Sequence, residues 1–272
     1  MAIDQADPAP PSVQQGLDAN ELAEGSSWRR FTRSNLGLII TPFGLALVGL
    51  LTLWYNESTD KIIQDRTALD WNDKVRPQIF EMISITWKST LLVILIAIPL
   101  GIMLTRPNYR RYSGPILAVA TSAQAMPSYG LIVLFFVWLG RGQTTAVLAL
   151  TSFAILPVLR NTIVGLEQVD PAVVEAGRGM GLTERQVLTR IELPLAVPVI
   201  LAGARTALVI NVGFATLAFL IGGGGLGNTI NAGIALNRDV VLYTGTLITA
   251  ILALSVDWVG AIAEKVLRPK GL

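Results

Sequence analysis

Six long, mostly apolar stretches dominate this chain, each approaching or exceeding the roughly 18–20 residues that cross a bilayer as a helix. They fall at residues 36–54, 86–105, 115–139, 145–164, 195–221 and 241–266, each bounded by a polar or Pro/Gly break. With 52% hydrophobic and only 15% charged residues, the chain lies well below the charge content of an ordinary soluble domain, about a quarter. The reading is an all-α membrane protein whose transmembrane domain covers residues 35–268. Residues 1–34 read as a disordered polar tail without a signal peptide's pattern. Residues 55–82 read as an external polar segment. The third stretch is irregular, because Ala125-Met126-Pro127-Ser128-Tyr129-Gly130 sits at its middle.

The positions of the basic residues orient the spans, since Lys and Arg collect on cytoplasmic flanks. Arg29, Arg30 and Arg33 precede the first stretch, and Arg106, Arg110 and Arg111 follow the second. Arg160, Arg178, Arg185 and Arg190 surround the break after the fourth, and Lys265, Arg268 and Lys270 follow the sixth. Placing both termini in the cytoplasm puts every cluster on one side. Without Cys or His, the chain excludes disulfides, thiolate and imidazole metal sites, and Ser-His triads. It has no Gly-Lys pair and therefore no phosphate-cradling loop of its own. The net charge of +2 gives no reason to expect a nucleic-acid partner.

The break at 167–194 carries the most information about function. Asp170 can cap a helix opened by Pro171, and Gly181 stands where a left-handed residue would end it. Thr183 and Gln186 have capping-box spacing for a second helix. The pattern predicts two short helices, 171–180 and 184–192, joined by a turn and exposed between membrane spans. Such a piece must dock on something. A Glu175–Arg178 pair at i, i+3 is the purely internal role for Glu175.

Glu175, Ala176 and Gly177, then Gly181, then Ile191, Leu193 and Pro194 resemble, in type and spacing, the coupling loop of permease subunits of ATP-binding-cassette importers. Position 177 departs mildly, since that family more often has alanine there. The resemblance implies an importer-permease (MetI-like) architecture of about six transmembrane helices with a cytoplasmic coupling helix pair, in a bacterial inner membrane. It implies two ATP-binding subunits below, which hold the ATP and magnesium, and no cofactor on this chain. It also implies a second permease, the same chain or a related one, an external substrate-binding protein above, and surrounding lipid. Glu175 would contact the ATPase, with Val173, Ala176 and Met180 packing beside it, and Leu193-Pro194 would pass the displacement into the fifth span.

Further segments narrow the resemblance. Residues 125–130, 157–162, 169–181, 202–206, 215–218 and 221–227 together look like the permeases of osmoprotectant importers, which carry glycine betaine, choline, carnitine or related quaternary amines. Permeases for amino acids such as methionine, or for sulfonates, share the same loop and are the alternative. A secondary transporter is the second alternative, and it would call for intramembrane carboxylates. Asp257 and Glu264 are the acidic residues in or near the spans, and Arg205 reads as a paired or snorkelling structural residue.

Polar residues at membrane depth face protein or a wet cavity. Gln124, Met126, Pro127, Ser128, Tyr129, Asn211 and Thr216 are therefore candidates for the substrate path, with helix–helix packing as their other role. The glycine run at 222–225 with Gly227 reads as a close-packed gate segment or as a tight return of the chain.

Overall fold

The computed structural model describes residues 40–55, 57–59 and 62–267, so the polar tail at 1–34 lies outside the described residues. By internal packing the chain divides into Met1–Gly44 and Leu45–Leu272. In the first unit the described residues, 40–44, are helical. The second unit holds the remaining architecture.

No strand occurs among the described residues. The helices are α1 (Ile40–Tyr55), α2 (Ile63–Ala68), α3 (Arg76–Leu104), α4 (Ser113–Ala125), α5 (Ser128–Leu139) and α6 (Gln143–Glu167). They are followed by α7 (Pro171–Gly179), α8 (Glu184–Val187), α9 (Leu193–Ala215), α10 (Gly227–Ala235) and α11 (Asp239–Leu267). In bilayer the backbone must satisfy its own polar groups, so long apolar runs become helices. Four helical runs are long and apolar enough to cross, or five if the bent pair α4–α5 counts as one span. The 16-residue α1 is apolar but shorter. Six equal spans are thus more than the described helices establish.

Several boundaries differ from the sequence reading. The second span begins at Arg76 rather than 86, after a π turn over Trp71–Val75 that Asp70 caps through the amides of Asn72 and Asp73. Residues 76–82 therefore belong to a membrane helix, and α2 occupies part of the segment read as polar loop. The third span is broken, with α4 and α5 meeting at a 103° bend. Met126 and Pro127 are extended there, as expected where proline restricts the residue before it. The short helix α10, between the fifth and sixth spans, was not apparent in the sequence.

Helix α6 is the central post, packing along both α3 and α9. Small residues allow the approach, as in other membrane bundles. A β-carbon on Gly101 of α3 would lie 2.7 Å from Thr162, and one on Gly203 of α9 would lie 2.7 Å from Asn161, both on α6. Hydroxyls along these helices bond their own backbone, Thr151 to the Val147 carbonyl and Thr162 to that of Val158, both at 2.7 Å. These two hydroxyls are thus satisfied without water.

Candidate functional site

Residues 167–194 form a compact hooked segment at one end of the bundle. Asp170 Oδ1 accepts from the Ala172 amide at 2.8 Å, and Pro171 opens α7 where its missing N–H costs nothing. The far end closes as a Schellman motif. Gly181 has φ of +83°, its amide donates to the Arg178 carbonyl (2.9 Å), and the Leu182 amide donates to that of Gly177 (3.2 Å). Thr183 and Gln186 then close a capping box, with Thr183 N donating to Gln186 Oε1 at 2.9 Å.

The second half corrects the expected pair of separate short helices. From Glu184 the helix runs to Ala215 without a gap, passing through a π turn over Leu188–Glu192. Pro194 explains the widening: its ring crowds the Arg190 carbonyl four residues back and supplies no N–H to it. The segment is therefore continuous with α9 rather than linked to it by a joint at Leu193-Pro194.

The motif residues divide into two groups. Gly177 is buried on the side facing α8 and the π turn, beneath Ile191. Glu175 and Ala176 are exposed, as are Val173 and Met180, the latter at 75%. Glu175 makes no ion pair among the described residues, and its expected neighbour Arg178 pairs instead with Glu184 across the turn at 3.0 Å. α7 thus exposes the Glu175 carboxylate and, further round the helix, Val173 and Met180, with Ala176 between them.

Beside this segment lies a groove of ≈ 560 Å³ lined by Arg106, Arg110, Arg178, Glu167, Glu184 and Glu192, among others. Basic residues from two different predicted cytoplasmic breaks therefore share one end of the bundle. Each has an acidic partner: Arg106 with Glu192, Arg110 with Glu167 at 3.5 Å, and Arg178 with Glu184. The sequence marks Arg106 only as a cytoplasmic-flank cation and does not single out Glu192, although an acid just before the apolar run that opens at Leu193-Pro194 is a signal available there.

The path candidates are spread over α4, the α4–α5 bend and the end of α9. Gln124 ends α4 and donates Nε2 to the Phe153 carbonyl at 3.0 Å. Met126, Pro127 and Tyr129 are exposed at the α4–α5 bend, with Ser128 half-buried among them. Asn211 is fully buried and donates Nδ2 to Thr90 Oγ1 of α3 at 3.0 Å, while its Oδ1 has no protein partner. Thr216 bonds the Gly213 carbonyl at 2.6 Å. Phe153 and Phe214, edge to face with centroids 4.2 Å apart, bridge the Gln124 and Thr216 regions.

At the opposite end the glycine run makes a tight return. Gly222, Gly224 and Gly225 have φ of +73°, +85° and +93°, and the Gly225 amide donates to Glu81 at 2.8 Å. A β-carbon on Gly227 would lie 1.8 Å from the Thr216 carbonyl. At the same end, the buried Asp65 of α2 holds Arg238 before α11, with Nε to Oδ1 at 2.8 Å. That bond keeps the Arg238 guanidinium above its ordinary pKa range.

Comparison with known proteins matches residues 97–269 to the family described as binding-protein-dependent transport system inner membrane component. The choline transport system permease protein OpuBB of Bacillus subtilis is 39% identical over 193 residues, 71% of this chain and 88% of that protein. The glycine betaine/carnitine/choline transport system permease protein OpuCB of the same organism is 38% identical, with the same shares covered. The osmoprotectant import permease protein OsmW of Salmonella typhimurium is 38% identical, over 66% of this chain and 86% of that one. Among solved structures, an inward-facing MetNI methionine ABC transporter chain superposes with a TM-score of 0.62. At 23% identity, over 72% of this chain and 96% of that chain, this likeness concerns the fold.

Proposed function

Since the chain belongs to the family of binding-protein-dependent transport system inner membrane components, we propose that it is the permease subunit of an ATP-driven importer for osmoprotectants. The solutes are glycine betaine, choline or related quaternary amines, the class named for its relatives. The observation that carries the mechanism is the exposed surface of α7, where Glu175, with no ion pair among the described residues, is followed round the helix by Ala176, Met180 and Val173, on a helix fixed at both ends. An ATP-binding subunit docks there from the cytoplasmic side, and its movement on binding and hydrolysing ATP is transmitted through the π turn into α9. Two such subunits, a second permease and an external binding protein complete the assembly, with both termini of this chain in the cytoplasm. ATP and magnesium reside on the partner, and this chain contributes the path.

Nothing favours the secondary-transporter alternative. Asp257 and Glu264 on α11 are both held by Arg205 of α9, with Nε–Oδ1 at 2.8 Å, Nη2–Oδ2 at 2.9 Å and Nη1–Oε2 at 3.4 Å. A carboxylate tied up in this way is a poor proton relay. The path is proposed to run past the α4–α5 bend at Met126, Pro127, Ser128 and Tyr129, with Gln124, Asn211 and Thr216 along it. The experiment is ATP-dependent uptake of labelled glycine betaine and choline into vesicles holding this chain with its ATPase and binding protein. Saturable uptake supports the reading. ATPase activity stimulated only by an amino acid would leave the importer and overturn the substrate, and no coupling to ATPase with any ligand would overturn both.

A further inference from the structure

We infer that Glu192 and Arg106 are a positioning pair that delivers the movement of the coupling segment to α3 as well as to α9, so that it drives two membrane helices as one body. This rests on the reading of the exposed surface of α7, at Val173, Glu175, Ala176 and Met180, as the place where an ATP-binding subunit docks.

Glu192 ends the π turn and is only 7% exposed. Both terminal nitrogens of Arg106, 86 positions away, reach its carboxylate, with Nη1 at 3.3 Å from Oε1 and Nη2 on Oε2. This two-pronged geometry fixes orientation as well as distance. The guanidinium is itself fastened to the last turn of α3. Its Nε lies 3.4 Å from the Ile102 carbonyl and 3.3 Å from Thr105 Oγ1, and the Thr105 hydroxyl donates to the Ile102 carbonyl at 2.8 Å. A carboxylate on the α9 side is therefore bonded through one side chain to the end of α3.

Apolar contacts reinforce the same connection. Leu188 and Leu193, on either side of the pair, pack with Ile98 and Ile102 of α3 around Leu166, Ala196 and Ile200. The position relative to the π turn matters most. A wide turn inside a helix is a natural place for bending. Here α7 and α8 lie on one side of it, and the Glu192 clamp lies at its membrane end. Displacement of α7 reaches the turn through the Gly177–Ile191 contact, and beyond Glu192 it is passed to α3 and α9 together. The other ion pairs of the groove, Arg110–Glu167 and Arg178–Glu184, are exposed, and solvent screens such pairs far more strongly than one around a buried carboxylate.

The test measures solute imported per ATP hydrolysed by the complete complex in proteoliposomes, for R106Q, E192Q and the exchange R106E with E192R. Both single variants should keep stimulated ATP hydrolysis, because the α7 face is untouched, while solute per ATP falls by about tenfold. The exchange should restore most of the ratio. Single variants with the wild-type ratio would overturn the proposal. A parallel loss of hydrolysis, uptake and assembled complex would also overturn it, by making the pair merely structural. A wild-type complex that hydrolyses ATP without importing any solute would instead bring down the importer reading, and the pair's role with it.

Discussion

Ile191 closes directly over Gly177: a β-carbon built on Gly177 would stand 2.4 Å from Ile191 Cδ1, with Leu182 and Val187 at 3.6 and 3.7 Å. Two residues fourteen positions apart in the same motif are thus one packing contact, and it sets α7 against the π turn. The glycine that stands where the family more often has alanine is the place where the two halves of the hook meet.

Gly177→Ala should change stability little. Alanine favours a helix over glycine by about 1 kcal/mol, and the end of the Ile191 side chain can shift to make room. Gly177→Leu should separate α7 from the π turn and abolish uptake while the permease still inserts. Adding Ile191→Ala to the leucine variant should recover part of the uptake. Uptake assays with membrane-fraction quantification check all three, and full activity of Gly177→Leu would show that the contact does not matter.

Glu175 is exposed and makes no ion pair among the described residues, so Glu175→Lys should leave the stability of the isolated permease nearly unchanged, within about 0.5 kcal/mol. The same variant should weaken co-purification of the ATP-binding subunit. Gly181→Val places a β-branched residue at φ +83°, which costs about 1–2 kcal/mol. Together the two changes should uncouple ATP hydrolysis from transport while leaving the chain in the membrane. Normal uptake by the double variant would remove the lever mechanism.

Arg205→Leu should be the more damaging substitution within the span, because it strands Asp257 at membrane depth, where an uncompensated carboxylate costs about 2.5–3.5 kcal/mol. Combining it with Asp257→Leu should restore much of the lost thermal stability, leaving only Glu264 near the end of α11 without its cation. Uptake by the double variant, measured beside its melting curve, also tests the secondary-transporter alternative. A proton relay at Asp257 would be lost however well the protein folds.

Local chemistry made the hook legible. Asp170, Pro171, Gly181, Thr183 and Gln186 act on backbone groups within a few residues, and each capping or turn role matches the structure. Arg205 was readable as a paired or snorkelling residue, and the structure pairs it with Asp257 and Glu264. Glu175 was legible as an exposed group, but the competing pair with Arg178 was not resolved until Glu184 was seen across the turn.

By itself the sequence determined the helical, membrane-spanning character of the chain and the caps of the coupling segment, because bilayer thickness and backbone hydrogen bonding act along the chain. It did not determine how many spans stand upright, since the 103° bend at Met126-Pro127 depends on what α4 and α5 pack against. Nor did it show that α8 runs unbroken into α9, because Pro194 can end a helix or widen one, and neighbouring helices make that choice. Tertiary structure alone decided that Glu192 meets Arg106, that Gly177 lies under Ile191, and that Asn211 faces Thr90. The first and last of these join segments far apart in sequence and depend on the packing of α3 with α9, while the second depends on how α7 folds back on the π turn.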